Sequence, residues 1–248
     1  MPLRAIRNSE TGGSSLDFRP STFELFITFE GPEGGGKTTQ IRLLAETLRE
    51  LGREVVTTRE PGGVEAAEAI RGLVLDRALR PETEALLFLA ARAEHARTLV
   101  IPALAAGDVV LCDRFTDSTL AYQGYGLGLD LDRLRGLCEF AACGLRPDLT
   151  VLLDLPAETG LRRRFTASQL EIPMDVPEPE APVRVINKME ERDLAFHRRV
   201  RDGFLKEAER DPERIYVVDA ACPVKRVHQT VLKEVTRRLE RGRVHQAP

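Results

Sequence analysis

The feature that most constrains this chain is an octet near its start, Gly31-Pro32-Glu33-Gly34-Gly35-Gly36-Lys37-Thr38, which fits the spacing G-x-x-x-x-G-K-[ST]. A short apolar run, Leu25-Phe26-Ile27-Thr28-Phe29, precedes it and reads as a buried strand. Residues 37–51 follow with Ile41, Leu44, Leu48 and Leu51 at helical spacing, and Gly52 stands as a stop. A glycine-rich loop between strand and helix lets successive backbone N–H groups converge on phosphate oxygens without Cβ clashes. The helix N-terminus adds unpaired donors and the positive end of its dipole. Gly31, Pro32, Glu33, Gly34, Gly35, Gly36, Lys37, Thr38 and Thr39 are therefore the candidate nucleotide-binding stretch, for ATP or GTP. Lys37 is spaced to reach the β- and γ-phosphates, and the Thr38 hydroxyl to ligate Mg²⁺. The motif is silent on what receives the phosphate.

The same alternation continues down the chain. Glu54–Thr58, Asp108–Cys112, Thr150–Leu155 and Ile215–Val218 are further strand candidates, and residues 64–79, 82–106, 130–143 and 224–241 carry helical patterns. Short apolar strands alternating with helices imply an α/β fold, a five-stranded parallel sheet with helices on both faces. Residues 1–22 are polar and read as a flexible leader, leaving residues 23–248 as a single domain. One segment breaks the order: residues 171–182 are EIPMDVPEPEAP, close to Arg162-Arg163-Arg164 and to Arg184, Lys188 and Arg192. A charged, proline-rich insert cannot join the core, so a lid is expected at about residues 160–190.

Composition excludes several function classes. Of 248 residues, 42% are hydrophobic and 30% charged, the balance of a globular protein. With a net charge of −3, aromatics at 5% and no Trp, neither a polyanion-binding surface nor stacking platforms for nucleic acid are expected. No run approaches the roughly 20 apolar residues of a membrane span, and the start lacks the apolar stretch of a secretory signal. Cys112, Cys138, Cys143 and Cys222 form no CxxC pair and read as buried free thiols of a cytoplasmic protein.

Two further clusters sit at strand ends, where ligands of open α/β sheets bind. Asp113-Arg114 directly follows the third strand, and Arg114 has the planar fork suited to an acceptor phosphate. Thr58-Arg59-Glu60-Pro61-Gly62-Gly63 follows the second, aiming Arg59 at the same crevice. Asp154 competes with Asp113 as the metal-side acid but has no basic neighbour in sequence. Asp193 and His197, four apart, have metal-pair spacing; His197 reads as a surface residue and His95 as structural.

Taken in order, FITFEGPEGGGKTT, TREPGG at 58–63, Phe88-x-Ala-Ala-Arg92, Asp113-Arg114, Ala121-Tyr122-Gln123-Gly124 and Arg146-Pro147-Asp148 ahead of TVLLDL resemble bacterial thymidylate kinases, P-loop nucleoside monophosphate kinases. The resemblance runs from about residue 24 to residue 240. It implies the P-loop kinase fold with a lid insertion, ATP as phosphoryl donor with Mg²⁺, dTMP as acceptor, and a homodimer. By resemblance, Phe88 stacks on thymine, Arg92 and Gln123 bond the base edge or its surroundings, and Arg59 and Arg114 hold the acceptor phosphate. Glu33 meets the sugar 3′-hydroxyl or the metal shell, Asp113 positions Mg²⁺ through water, and Asp219-Ala220-Ala221 lies on the adenine side. Because Gly34 occupies the loop position where some relatives carry arginine, the resemblance implies a catalytic arginine from the lid, with Arg162 and Arg184 foremost and Arg163 and Arg164 beside them. The catalytic set is then Lys37, Arg59, Arg114, Arg162 and Arg184. Two departures stand out: Asn187-Lys188-Met189-Glu190 replaces Asp-Arg-x-Glu, and Gly126-Leu127-Gly128 replaces Gly-Arg-Gly. A kinase for another small acceptor and a P-loop switch ATPase are the alternatives. Several arginines at strand ends and Phe88 on an aliphatic stretch favour a second phosphorylated substrate.

Overall fold

The computed structural model describes residues 25–169 and 192–244. The expected leader at 1–22, the proline-rich insert and Arg184 lie outside the described residues, as does the Arg164 side chain. In chain order the elements begin with β1 (Phe26–Glu30), α1 (Lys37–Glu50), β2 (Val55–Arg59), α2 (Glu65–Asp76) and α3 (Pro81–His95). Through a π-helical turn, Ala96–Val100, α3 runs on into α4 (Ile101–Ala106). Then come β3 (Val109–Asp113), α5 (Thr116–Thr119) with a second π-helical stretch Leu120–Gly126, α6 (Leu131–Ala141) and β4 (Leu149–Asp154). The last elements are α7 (Ala157–Gln169), α8 (Leu194–Arg210), β5 (Ile215–Asp219) and α9 (Val224–Val244).

The five strands form one parallel sheet in the order β2-β3-β1-β4-β5. Strand alternation divides the core between its two faces. Ile27, Phe29, Leu111, Val151 and Leu153 meet Leu44 and Leu48 of α1 and Val231 and Val235 of α9. On the opposite face, Phe26, Val110 and Cys112 pack with Val100, Leu104 and Phe115, and Leu152 packs with Phe196, Val200 and Phe204 of α8. The five strands and both covered faces stand where the apolar runs put them.

Three helical stretches were less visible in the sequence. Thr116–Gly126 contains Gly124, Gly126, Thr116, Ser118 and Thr119, all weak helix formers. It is helical because α8 packs along it; Tyr122 lies against Phe196 and Phe204 with ring centroids 6.2 and 6.1 Å apart. Helices α7 and α8 flank the insert; α8 carries an apolar stripe, Phe196, Val200, Phe204 and Ala208, that the reading of the sequence did not use. His197 corrects the surface reading: on α8 it is buried, packed edge-on against Phe196 at 5.4 Å. Asp193 is the N-cap of α8, accepting from the Phe196 N–H at 2.7 Å, so this pair caps and packs a helix. All four cysteines are free; Cys112 and Cys138 are buried as expected, whereas Cys143 and Cys222 are only half-buried. No helix among the described residues is long and apolar enough to cross a membrane.

Candidate active site

Parallel strands present all their carboxyl ends on one edge. Register sets Arg59 beside Asp113, and Asp113 beside Phe29, so Glu30, Arg59 and Asp113 share that edge. The phosphate loop leaves β1 there and enters α1 at Gly36. Two of its glycines are obligatory. Gly31 has φ +129°, and a Cβ on it would lie 2.4 Å from the Leu153 carbonyl oxygen. Gly34 has φ +71°, and its Cβ would lie 2.3 Å from the carbonyl oxygen of Gly160 in α7. The contact is mutual, since a Cβ on Gly160 would fall 2.1 Å from the Glu33 carbonyl oxygen. Loop and α7 therefore touch backbone to backbone.

The loop floors a cavity of about 550 Å³. Of the residues picked out in the sequence, Glu33 to Thr39, Arg59, Phe88, Asp113, Arg114, Gln123 and Arg163 line it. Gly31 and Pro32 lie just beneath: the buried Lys37 donates Nζ to the Gly31 carbonyl at 3.1 Å and to that of Pro32 at 3.0 Å. Burial lowers the Lys37 pKa and Arg114 adds to that, against the pull of Asp113, Glu33 and Glu30. The Thr38 hydroxyl donates to Asp113 Oδ2 at 2.9 Å, which brings together the two groups expected on the metal side. Asp154, the competing acid, is held in a two-pronged pair with Arg201, both bonds 2.8 Å.

Arg114 is the hub of the far wall. Its guanidinium donates to Glu33 Oε1 at 2.7 Å, the Tyr122 hydroxyl at 3.1 Å, Ser118 Oγ at 3.0 Å and the Gly31 carbonyl at 3.3 Å. Tyr122 also donates to Glu33 Oε1, at 2.9 Å. Burial works against the Arg114 charge, but Tyr122, Glu33 and Asp113 outweigh it and hold its pKa above the ordinary value. Burial pushes the Tyr122 hydroxyl well up, so it remains a donor. Arg59 pairs with Glu68 at 2.8 Å with both side chains about half exposed, a contact of small worth that leaves the guanidinium available. Glu30, fully buried behind Arg114, is pushed up to about 7 by burial and then by Asp117.

Two expectations meet a different geometry. Arg92 does not line the cavity. It is buried behind the wall, donating Nε to Glu60 at 2.8 Å and Nη2 to the Phe115 carbonyl at 2.9 Å. His95 shares the same carboxylate at 3.0 Å and reaches the Thr58 hydroxyl at 2.8 Å, in line with its structural reading. Arg162 is not among the lining residues either; one residue on, Arg163 is, and it donates to the Ala220 carbonyl at 2.9 Å. Helical geometry explains the exchange, because neighbours on α7 point about 100° apart.

Sequence reasoning missed Arg71, which lines the cavity from α2 and donates to the Pro61 carbonyl at 2.8 Å. Burial lowers its pKa and Arg59 adds to it. An arginine on an alanine-rich helix just after the Pro61-Gly62-Gly63 turn was its only signal. Gln123 is buried at the cavity wall and donates to Glu84 at 3.0 Å; Glu84 in turn holds Arg192 at 2.7 Å. The arrangement can bind one phosphate chain on the loop and a second phosphate among Arg59, Arg71 and Arg114, beside an aromatic face.

Such a loop on such a sheet, with a second cationic group facing it, defines the P-loop kinases. The family model described as thymidylate kinase matches residues 29–231. A thymidylate kinase of Thermomicrobium roseum is 52% identical over 219 residues, 88% of this chain and 97% of its own. One from Geotalea uraniireducens is 50% identical over 220 residues, covering 88% and 99%. The crystal structure of thymidylate kinase from Ehrlichia chaffeensis superposes with a TM-score of 0.66 at 35% identity, over 86% of this chain and 98% of that one. The chain belongs to the thymidylate kinase family.

The placement of Arg92 has a measurable consequence. Arg92→Met leaves Glu60 buried with only His95 opposite, and should cost about 3 kcal/mol of unfolding free energy in urea. Unchanged stability would show that the ion pair is not what Arg92 is for.

Proposed function

We propose that this chain transfers the γ-phosphoryl group of ATP to dTMP, giving dTDP and ADP. The observation that carries the reading is one cavity holding a phosphate loop with Lys37, a separate group of three arginines, and Phe88. ATP lies with its phosphates on the backbone N–H groups of the loop and on Lys37. The dTMP phosphate sits among Arg59, Arg71 and Arg114, with thymine against Phe88 and Gln123 at its edge. An oxygen of the dTMP phosphate bonds to the γ-phosphorus while the bond from that phosphorus to the β–γ bridging oxygen breaks, leaving ADP. A phosphate monoester ionises for the second time near pH 6, so the attacking oxygen carries no proton at neutral pH and no general base is required. The described residues lining the cavity include no histidine and no cysteine, consistent with that. The work of the protein is alignment and charge neutralisation.

Thr38 and Asp113 fit Mg²⁺, being hard oxygen donors in hydrogen-bond contact: the Thr38 hydroxyl would hold the ion and Asp113 would position it through water. An ion held there would supply positive charge beside the transferring phosphates. Arg162, Arg163, Arg164 and Arg184 are the candidates for the arginine that meets the transferring phosphoryl group, with Arg163 favoured by its place at the cavity. The protein acts in the cytoplasm as a homodimer. Leu86 on α3 and Leu137 and Phe140 on α6 support the dimer, with Phe140 82% exposed on helices that pack side by side. Sedimentation at micromolar concentration should give twice the chain mass; a monomer would remove this part of the reading.

ADP release with a panel of nucleoside monophosphates tests the activity: turnover should require dTMP, and equal turnover without any acceptor would overturn the assignment. Lys37→Ala should abolish transfer. Arg114→Ala should raise KM for dTMP at least tenfold with KM for ATP nearly unchanged, since it loses a charged phosphate contact. Among alanine variants of Arg162, Arg163, Arg164 and Arg184, one should lower kcat by more than tenfold; if none does, the lid-arginine reading fails.

A further inference from the structure

Glu30 ends β1 one residue before the phosphate loop, is fully buried, and has no part in the phosphate-loop spacing. We propose that Glu30 is a positioning residue for Arg114, acting through the turn from Phe115 to Ser118, and so sets the affinity for the acceptor phosphate. The proposal rests on the reading of Arg114 as an acceptor-phosphate ligand.

Arg114 has φ +72°, a left-handed conformation that a residue with a Cβ holds only where its surroundings over-determine it. The surroundings are specific. The Arg114 N–H donates to the Phe29 carbonyl at 3.0 Å. Phe115 is gripped on both sides: its N–H donates to Glu30 Oε1 at 2.7 Å, and its carbonyl accepts from Arg92 at 2.9 Å. Ser118 donates its N–H to Glu30 Oε1 at 3.3 Å and its hydroxyl to Oε2 at 2.5 Å. The same hydroxyl accepts from Arg114 Nη1 at 3.0 Å. One carboxylate thus takes three donors, and one of those donors bonds the guanidinium directly.

An amide could not do this. Glutamine offers one acceptor oxygen, and its NH₂ would face groups that are themselves donors. Yet the carboxylate is expensive to bury. Asp117 on α5 opposes its charge, while Arg114, Lys37 on α1 and Arg92 on α3 favour it, with the Cys112 thiol of β3 also nearby. With Glu30 held at about 7, above its ordinary 4.5, folding takes up a proton between those values. The stability this contributes is complete below about pH 4.5 and is lost as pH rises through about 7. At pH 8 Glu30→Gln removes a buried charge but leaves an amide NH₂ among donors, so fold and function are read separately.

The test is Glu30→Gln at pH 8, read by urea unfolding and by steady-state kinetics in both substrates. Urea unfolding should show the variant folded under the assay conditions. KM for dTMP should rise about tenfold, as for the loss of a charged hydrogen bond, with KM for ATP within twofold. In an Arg114→Ala background the same change should add nothing. Should Glu30→Gln fail to fold, Ser118→Ala, which cuts the link from carboxylate to guanidinium, should give the same split between substrates. An unchanged KM for dTMP, or equal rises for both substrates with lost stability, would overturn the proposal. If Arg114→Ala alone leaves dTMP binding intact, the reading of Arg114 fails, and the proposal with it. If Arg114→Ala weakens dTMP binding and Glu30→Gln does not, only the proposal fails.

Discussion

Repulsion between like charges governs this site. To bring two polyanions together, the fold must first gather cations, and those repel each other as the phosphates do. Lys37, Arg59, Arg71 and Arg114 line or underlie one cavity, and their mutual effect is visible: Arg114 helps lower the pKa of Lys37, and Arg59 that of Arg71. The protein holds them by interleaving carboxylates. Glu33 and Asp113 stand by Arg114, Glu68 by Arg59, and Glu30 behind the whole group. Each cation is anchored by a partner at the cavity.

The parallel sheet makes this possible because it delivers every strand from the same side. Three adjacent strands end in charged residues, and their register rather than their sequence separation makes Arg59 and Asp113 neighbours. The faces divide the labour. Ile27 and Phe29 point one way, into the packing with α1 and α9, while Glu30 shares the other face with Phe26 and reaches the Phe115–Ser118 turn. The residue that closes the strand's packing is thus followed by the one that anchors the site.

What the sequence made legible follows from the range of the forces involved. The phosphate loop, the five strands and their helices are local patterns, readable over a dozen residues. So are Asp113-Arg114 and Thr58 to Gly63, because strand ends are defined by the strands before them. Long-range partners were not legible. Arg92 was expected at the base edge or its surroundings by resemblance alone, and only the folded chain brings Glu60 and the Phe115 carbonyl to its guanidinium. Arg71 stands on a helix with nothing around it to mark it, and becomes part of the cavity through the angle of α2. His197 seemed a surface residue among arginines; it is buried because α8 packs against a stretch, Leu120–Gly126, whose own helical signal is weak.

The backbone contact between Gly34 and Gly160 has a mechanical corollary. With no side chain on either residue, nothing between them can flex or rotate to absorb a shift. A side chain on either residue would force the loop and α7 apart, because each Cβ would fall within 2.3 Å of the opposing carbonyl oxygen.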